Sequence, residues 1–188
     1  NIKTDKKKIL FVGDSFTQSA EVSNDKVFYN HLKDSLEVEI FAFGVGMFGT
    51  YQEYLVVDQF IDSIQPDLVV WQFCDNDFID NYRPLAMKCV YKSNLIRPYL
   101  VNGKTKYQIS LTLMDQSRRK SNLAYAISII IKTEPEEYKG HARIYSVGNE
   151  FPEYHETFNT TDAMLKLASQ RVSKYIQILR YNATGYEP

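Results

Sequence analysis

Cysteine and net charge are both scarce in this chain, and long apolar runs are missing. The two cysteines, Cys74 and Cys89, cannot make a disulfide framework or a cysteine-built zinc site. A net charge of −1 gives no general attraction to nucleic acid or to an anionic membrane, so no nucleic-acid partner is expected. The longest mainly apolar stretch, Leu123 to Ile131, is well short of the ~20 residues that cross a bilayer. No internal repeat, low-complexity tract or signal-peptide pattern is visible, although a removed leader leaves no trace. The Lys6-Lys7-Lys8 run is short and precedes an apolar segment, so it reads as a solvated strand entry. With 188 residues and 44% hydrophobic content, the chain can bury a sizeable core as one domain.

Three apolar runs alternate with two amphipathic stripes. Ile9 to Val12 reads as a buried strand that ends at Gly13. Val27, Phe28, His31, Leu32 and Leu36 recur at helical spacing, ahead of a strand from about Val38 to Val45. A second stripe, Tyr51, Tyr54, Leu55, Phe60, Ile61 and Ile64, is closed by Pro66-Asp67 and followed by a compact strand, Leu68 to Phe73. Both crossovers are long enough for parallel βαβ units, and the alternation argues for an α/β domain. Residues 82–120 break the pattern, and Val101-Asn102-Gly103-Lys104 is a hairpin turn signal, so an insertion with a small hairpin is expected there. Residues 132–158 read as irregular, and a last helix is expected from Asp162 to Arg180.

The chemistry-bearing residues gather where the strands end. Gly13-Asp14-Ser15-Phe16-Thr17 puts a serine at the carboxyl end of the first strand, where open α/β sheets bind ligands. Ser15 reads either as a nucleophile or as a helix cap beside a bound phosphate. Asp14 reads as a turn acceptor or as the residue that orients the loop. A glycine-rich turn, Phe43 to Gln52, follows the second strand, and Phe73-Cys74-Asp75-Asn76-Asp77-Phe78-Ile79-Asp80-Asn81 follows the third. Asp75, Asp77 and Asp80 have no histidine beside them, so they read as solvated or helix-capping carboxylates and no metal site is assigned. Cys74 reads as a small core residue, His31 as a surface or boundary residue, and His141 and His155 as structural.

These three segments in this order resemble the SGNH (GDSL) hydrolase superfamily. Arg97-Pro98-Tyr99, Asn102-Gly103 and Ser121-Asn122-Leu123 resemble an insert of one bacterial branch, so the likeness covers most of residues 8–180. It implies a flavodoxin-like three-layer α/β/α fold with a mainly parallel sheet, one domain over residues 1–188, and no cofactor. It also implies ester cleavage with Ser15 as nucleophile and Asp14 in support. The oxyanion hole would comprise the Ser15 N–H, the N–H of Gly46 or Met47, and the Asn76 side chain. The implied substrate is a small-molecule or carbohydrate acyl ester, such as an O-acetyl ester of a carbohydrate or lipid. An O-acyltransferase on the same machinery and a non-catalytic carbohydrate- or ligand-binding domain are the alternatives, and an extracytoplasmic location is favoured.

The sequence departs from that pattern in three places. Met47 stands where the family has glycine, which makes a positive φ costly. Ala42 stands where an asparagine is usual. No histidine has an aspartate three residues before it, so the general base is unassigned. The expectation is a fragment that lacks the closing Asp-x-x-His segment, inactive by itself and prone to self-association at an exposed sheet edge. Natural loss of the base is the alternative.

Overall fold

The computed structural model describes residues 2, 4–88, 96–108 and 148–182. Four parallel strands make the main sheet: β1 (Lys8–Gly13), β2 (Glu39–Gly44), β3 (Leu68–Cys74) and β6 (Ile176–Asn182). Their order is β2-β1-β3-β6. The helices are α1 (Ser15–Gln18), α2 (Phe28–Leu36), α3 (Thr50–Ile64), α4 (Asp77–Asn81), α5 (Arg83–Lys88) and α6 (Tyr154–Arg171). A separate antiparallel hairpin joins β4 (Arg97–Val101) to β5 (Lys104–Gln108) through Asn102-Gly103. Both turn residues have positive φ, 52° and 70°, the conformation that two-residue hairpins demand.

Strand alternation builds the layers. Leu10 and Val12 of β1 point to one face and pack with Val57, Ile61 and Ile64 of α3 and Ala168 of α6. Ile9 and Phe11 point to the other face, where Phe28 and Tyr29 of α2 cover them. Phe11 meets Phe28 edge-on, with ring centroids 5.5 Å apart. The result is the expected α/β/α arrangement with a parallel sheet.

The end of the chain differs from the expectation. The last helix stops at Arg171, and Ile176 to Arg180 belongs to β6 instead of continuing it. A turn in which Tyr175 N–H donates to Val172 O breaks the helix, and Ile176 to Asn182 then pairs in parallel with Leu68 to Cys74. A short apolar run such as Ile176-Gln177-Ile178-Leu179 suits either periodicity, and pairing with β3 decides for the strand. The helix also begins earlier, at Tyr154, inside a stretch read as irregular. On β6, Ile176, Ile178 and Leu179 are 68%, 50% and 58% exposed, so this outer strand is apolar and open. Cys89, Ser121-Asn122-Leu123 and His141 lie outside the described residues.

The sheet order fixes where a site can form. From β1 the chain steps to β2 on one side, then returns across β1 to β3 on the other. The gap between the carboxyl ends of β1 and β3 is the switch point at which open parallel sheets take ligands. Residues 14–15 follow β1, and residues 75–76 follow β3.

Candidate active site

Asp14 is the cap of α1. Its Oδ1 accepts from Phe16 N at 3.0 Å, which leaves Ser15 as the first helical residue, exposed to solvent. The capping role that sequence alone allowed for Ser15 therefore falls to its neighbour. Thr17 Oγ1 donates to Gln72 Oε1 at 2.5 Å in a buried contact that ties α1 to β3.

The glycine turn closes over this corner. A Cβ on Gly44 would run into the backbone of Thr17 and Gln18, so α1 can sit against β2 only with glycine there. A Cβ on Gly46 would stand 3.7 Å from Ser15 Cβ, which makes the two residues neighbours. Gly46 N–H donates to Gln18 Oε1 at 2.7 Å. Met47 has a φ of 70°, so the residue in place of the expected glycine does adopt the left-handed conformation. Behind the turn lies a cavity of about 270 Å³, lined by Val12, Phe43, Val45, Phe48, Glu53 and Val56 among others.

Asn76 comes from the other side of the switch point. Its Nδ2 donates to Asp80 Oδ2 at 3.1 Å, and the same amide lies close enough to the Asp14 carboxyl to favour its ionised form. The structure thus brings Ser15, Gly46 and Asn76 to one end of the sheet, through Asp14 on one side and the glycine turn on the other.

Asp77 and Asp80 were expected to be solvated or helix-capping. Both are instead fully buried, and Asp75, read the same way, is buried too. Asp80 is paired with Arg97 Nη1 at 2.9 Å, and Asp77 Oδ2 accepts from Cys74 N at 3.3 Å. Among the described residues no cluster of histidine, cysteine and carboxylate ligands could hold a metal. Beneath them Glu53, 1% exposed, accepts from Trp71 Nε1 at 2.6 Å.

Burial dominates the acid chemistry here. It pushes Glu53 up to about 8; the Trp71 indole opposes the shift, and the charges of Asp14 and Asp80 add to it. Asp77 is raised well above the usual carboxylate range by burial first, then by Glu53, Asp80 and Asp14. Burial also raises Asp14, against the Phe16 N–H and the Asn76 amide. Cys74 is fully buried and its thiol is pushed up to about 12, again mainly by burial, as suits a core residue. His31 is exposed on α2, and His155 is exposed in the first turn of α6 with its ring edge-on to Tyr154. Neither hydrogen-bonds Ser15.

The sequence profile of the GDSL-like lipase/acylhydrolase family matches residues 9–186. The chain belongs to this family. A comparison with curated proteins found no match. Among solved structures, AlinE4, an SGNH-hydrolase family esterase, is similar at 15% identity, over 94% of this chain and 77% of that one, with a TM-score of 0.41. A serine-to-alanine mutant of the same esterase aligns at 19% identity over 44% of this chain and 48% of that one, with a TM-score of 0.37. A catalytic mutant of Axe2, an acetylxylan esterase from Geobacillus stearothermophilus, is similar at 12% identity, over 94% and 77%, with a TM-score of 0.37. GDSL-family membership supports ester hydrolysis in the broad sense.

Sequence reasoning did not single out Glu53 or Trp71 in the polar floor of this candidate site, and it did not read the contacts that Gln52, Asp80 and Arg97 make there. Glu53 was legible, because Glu53, Val57, Ile61 and Ile64 share one helical stripe and all are buried. A carboxylate on the apolar face of a helix signals a buried partner.

Proposed function

We propose that the full-length protein, the one assayed below, hydrolyses a short acyl ester of a carbohydrate or lipid, with Ser15 as the nucleophile. The observation that carries the reading is the juxtaposition of an exposed Ser15, the adjacent Gly46 turn and the Asn76 amide at the switch point. Ser15 Oγ would attack the acyl carbon as its proton passes to a general base, a role that neither His31 nor His155 fills; the alcohol would leave with that proton, and water would then release the acid from the acyl-serine. The oxygen that gains charge would meet the N–H of Ser15, the N–H of Gly46 or Met47, and the Asn76 amide. Such donors act on charge that develops only in the transition state, and each is worth about 3 kcal/mol. The apolar cavity behind the turn supports a short acyl chain, the O-acetyl group included.

The test is hydrolysis of p-nitrophenyl acetate by the full-length protein and its Ser15→Ala variant. The variant should lose turnover while its circular dichroism and melting temperature stay unchanged. Full turnover in a folded Ser15→Ala protein would remove the nucleophile assignment. A mass increment on Ser15 after an acyl-enzyme trap, absent from the variant, would confirm covalent chemistry.

A further inference from the structure

We propose that Arg97, on the β4–β5 hairpin, is a positioning residue that clamps together the two segments carrying the oxyanion donors. The inference rests on the oxyanion role given to Asn76 above and concerns what holds that amide in place.

Arg97 is 3% exposed and reaches two acceptors on two different elements. Nη1 donates to Asp80 Oδ1 at 2.9 Å, and Nη2 donates to Gln52 Oε1 at 3.0 Å. Each acceptor passes the contact onward. Asp80 Oδ2 accepts from Asn76 Nδ2 at 3.1 Å, and Gln52 Oε1 also accepts from Gly49 N at 2.8 Å. One guanidinium therefore joins the Asn76 segment to the glycine turn. The two segments also touch directly, since a Cβ on Gly49 would come within 2.8 Å of both Asp80 Cβ and Asn81 Oδ1.

The chemistry of each link explains its residue type. An asparagine amide is two-ended, and a carboxylate accepts only from its NH2 end. Asp80 thus selects the orientation in which Asn76 presents a donor. The amide also lies near the Asp14 carboxyl, so an oxyanion would compete with carboxylates for its N–H groups. A planar guanidinium serves two acceptors at fixed angles, which a lysine ammonium on a flexible stem does not. The hairpin that supplies Arg97 is itself pinned to α3, through Gln52 Nε2 to Pro98 O at 2.6 Å and a Tyr51–Thr105 hydroxyl pair at 2.7 Å.

The experiment is a double-mutant cycle on p-nitrophenyl acetate hydrolysis by the full-length protein, with Asp80→Asn, Arg97→Lys and Asn76→Ala. Asp80→Asn and Arg97→Lys should each lower kcat by about tenfold or more, part of what loss of an oxyanion donor costs, with KM within about twofold. In the Asn76→Ala background neither should cost more than about twofold further, because each acts through Asn76. Losses that simply multiply would overturn the proposal. So would losses that follow melting temperature across the variants. An Asn76→Ala protein with undiminished kcat would instead show that the oxyanion reading itself is wrong, and the clamp's catalytic role would fall with it. Independently of turnover, the Asn76 side-chain NH2 should give two dispersed, slowly exchanging proton resonances. Asp80→Asn should bring them toward solvent-exposed values, and unchanged resonances would refute the contact on which the clamp depends.

Discussion

Glu53→Gln should make this protein less sensitive to alkaline pH. In the folded chain the Glu53 carboxyl is enclosed, with one oxygen on the Trp71 indole and the other, Oε1, without a hydrogen-bond partner. Its pKa is raised from 4.5 to about 8. A raised acid binds more protons folded than unfolded, so its contribution is intact below the unfolded value and is lost as pH rises towards 8. At about 1.4 kcal/mol per pKa unit the ceiling on that loss is ~5 kcal/mol. Local relaxation around an ionised carboxylate trims the figure, and about 2 kcal/mol or more is expected between about pH 5 and about pH 8.5. For a domain of this size that is roughly 5 °C in melting temperature. Asp77 and Asp14 are raised as well and bias stability in the same direction. Glutamine mimics the protonated acid: it keeps an oxygen for the indole and places a donor where the acid proton would be. The assay is urea or thermal unfolding by circular dichroism across that pH window. Wild type should lose stability with rising pH, and Glu53→Gln should match it at the acid end and exceed it at the alkaline end. A flat wild-type profile, or the same decline in both proteins, would refute the reasoning.

Other consequences are simpler to read. Met47→Gly should exceed Met47→Ala in stability by about 1 kcal/mol in urea unfolding, because the pair differs only in a Cβ at a φ of 70°; equal stabilities would mean the conformation carries no cost. Gln18→Ala should raise kcat/KM by roughly two- to tenfold, the worth of one displaced hydrogen bond, since Gln18 Oε1 occupies the Gly46 N–H. An unchanged or lowered value would move the donor role to Met47. The apolar outer strand β6 should drive concentration-dependent self-association, measurable by sedimentation, and Ile178→Lys should suppress it with little change in stability. Association that persists in that variant would place the contact elsewhere.

The first half of the fold was legible because local and global signals agree there. Ile9 to Val12 and Leu68 to Phe73 are compact apolar runs between turn residues, and α3 carries an amphipathic stripe that ends at Gln65, a residue with positive φ just before Pro66. The hairpin was legible from Asn102-Gly103 alone. The C-terminal half was not. Ile176 to Leu179 is too short and too apolar for periodicity to separate strand from helix, and only pairing with β3 settles it. At the site, Ser15, Gly46 and Asn76 each follow a strand end, so one topological rule brings them together. The buried state of Asp77 and Asp80 had no local signature. Carboxylates in a loop are usually solvated, and what encloses these comes from α3 and from a hairpin some twenty residues downstream.

That buried floor bears on the proposed chemistry. An oxyanion hole stabilises negative charge, yet the proposed one adjoins four buried carboxyl groups: Asp14, Glu53, Asp77 and Asp80. Four ionised carboxylates would oppose any anion formed at Ser15, and weak interior screening would make the opposition severe. Two features relieve it. Burial favours the neutral form of Glu53 at neutral pH and pushes Asp77 in the same direction, and Arg97 sets a positive charge against Asp80. The same protonation that stabilises the fold therefore keeps the site fit to hold an anion. Ionisation of Glu53 would weaken both together, so the alkaline decline in stability and any alkaline decline in turnover share one cause, and Glu53→Gln should move both in the same direction.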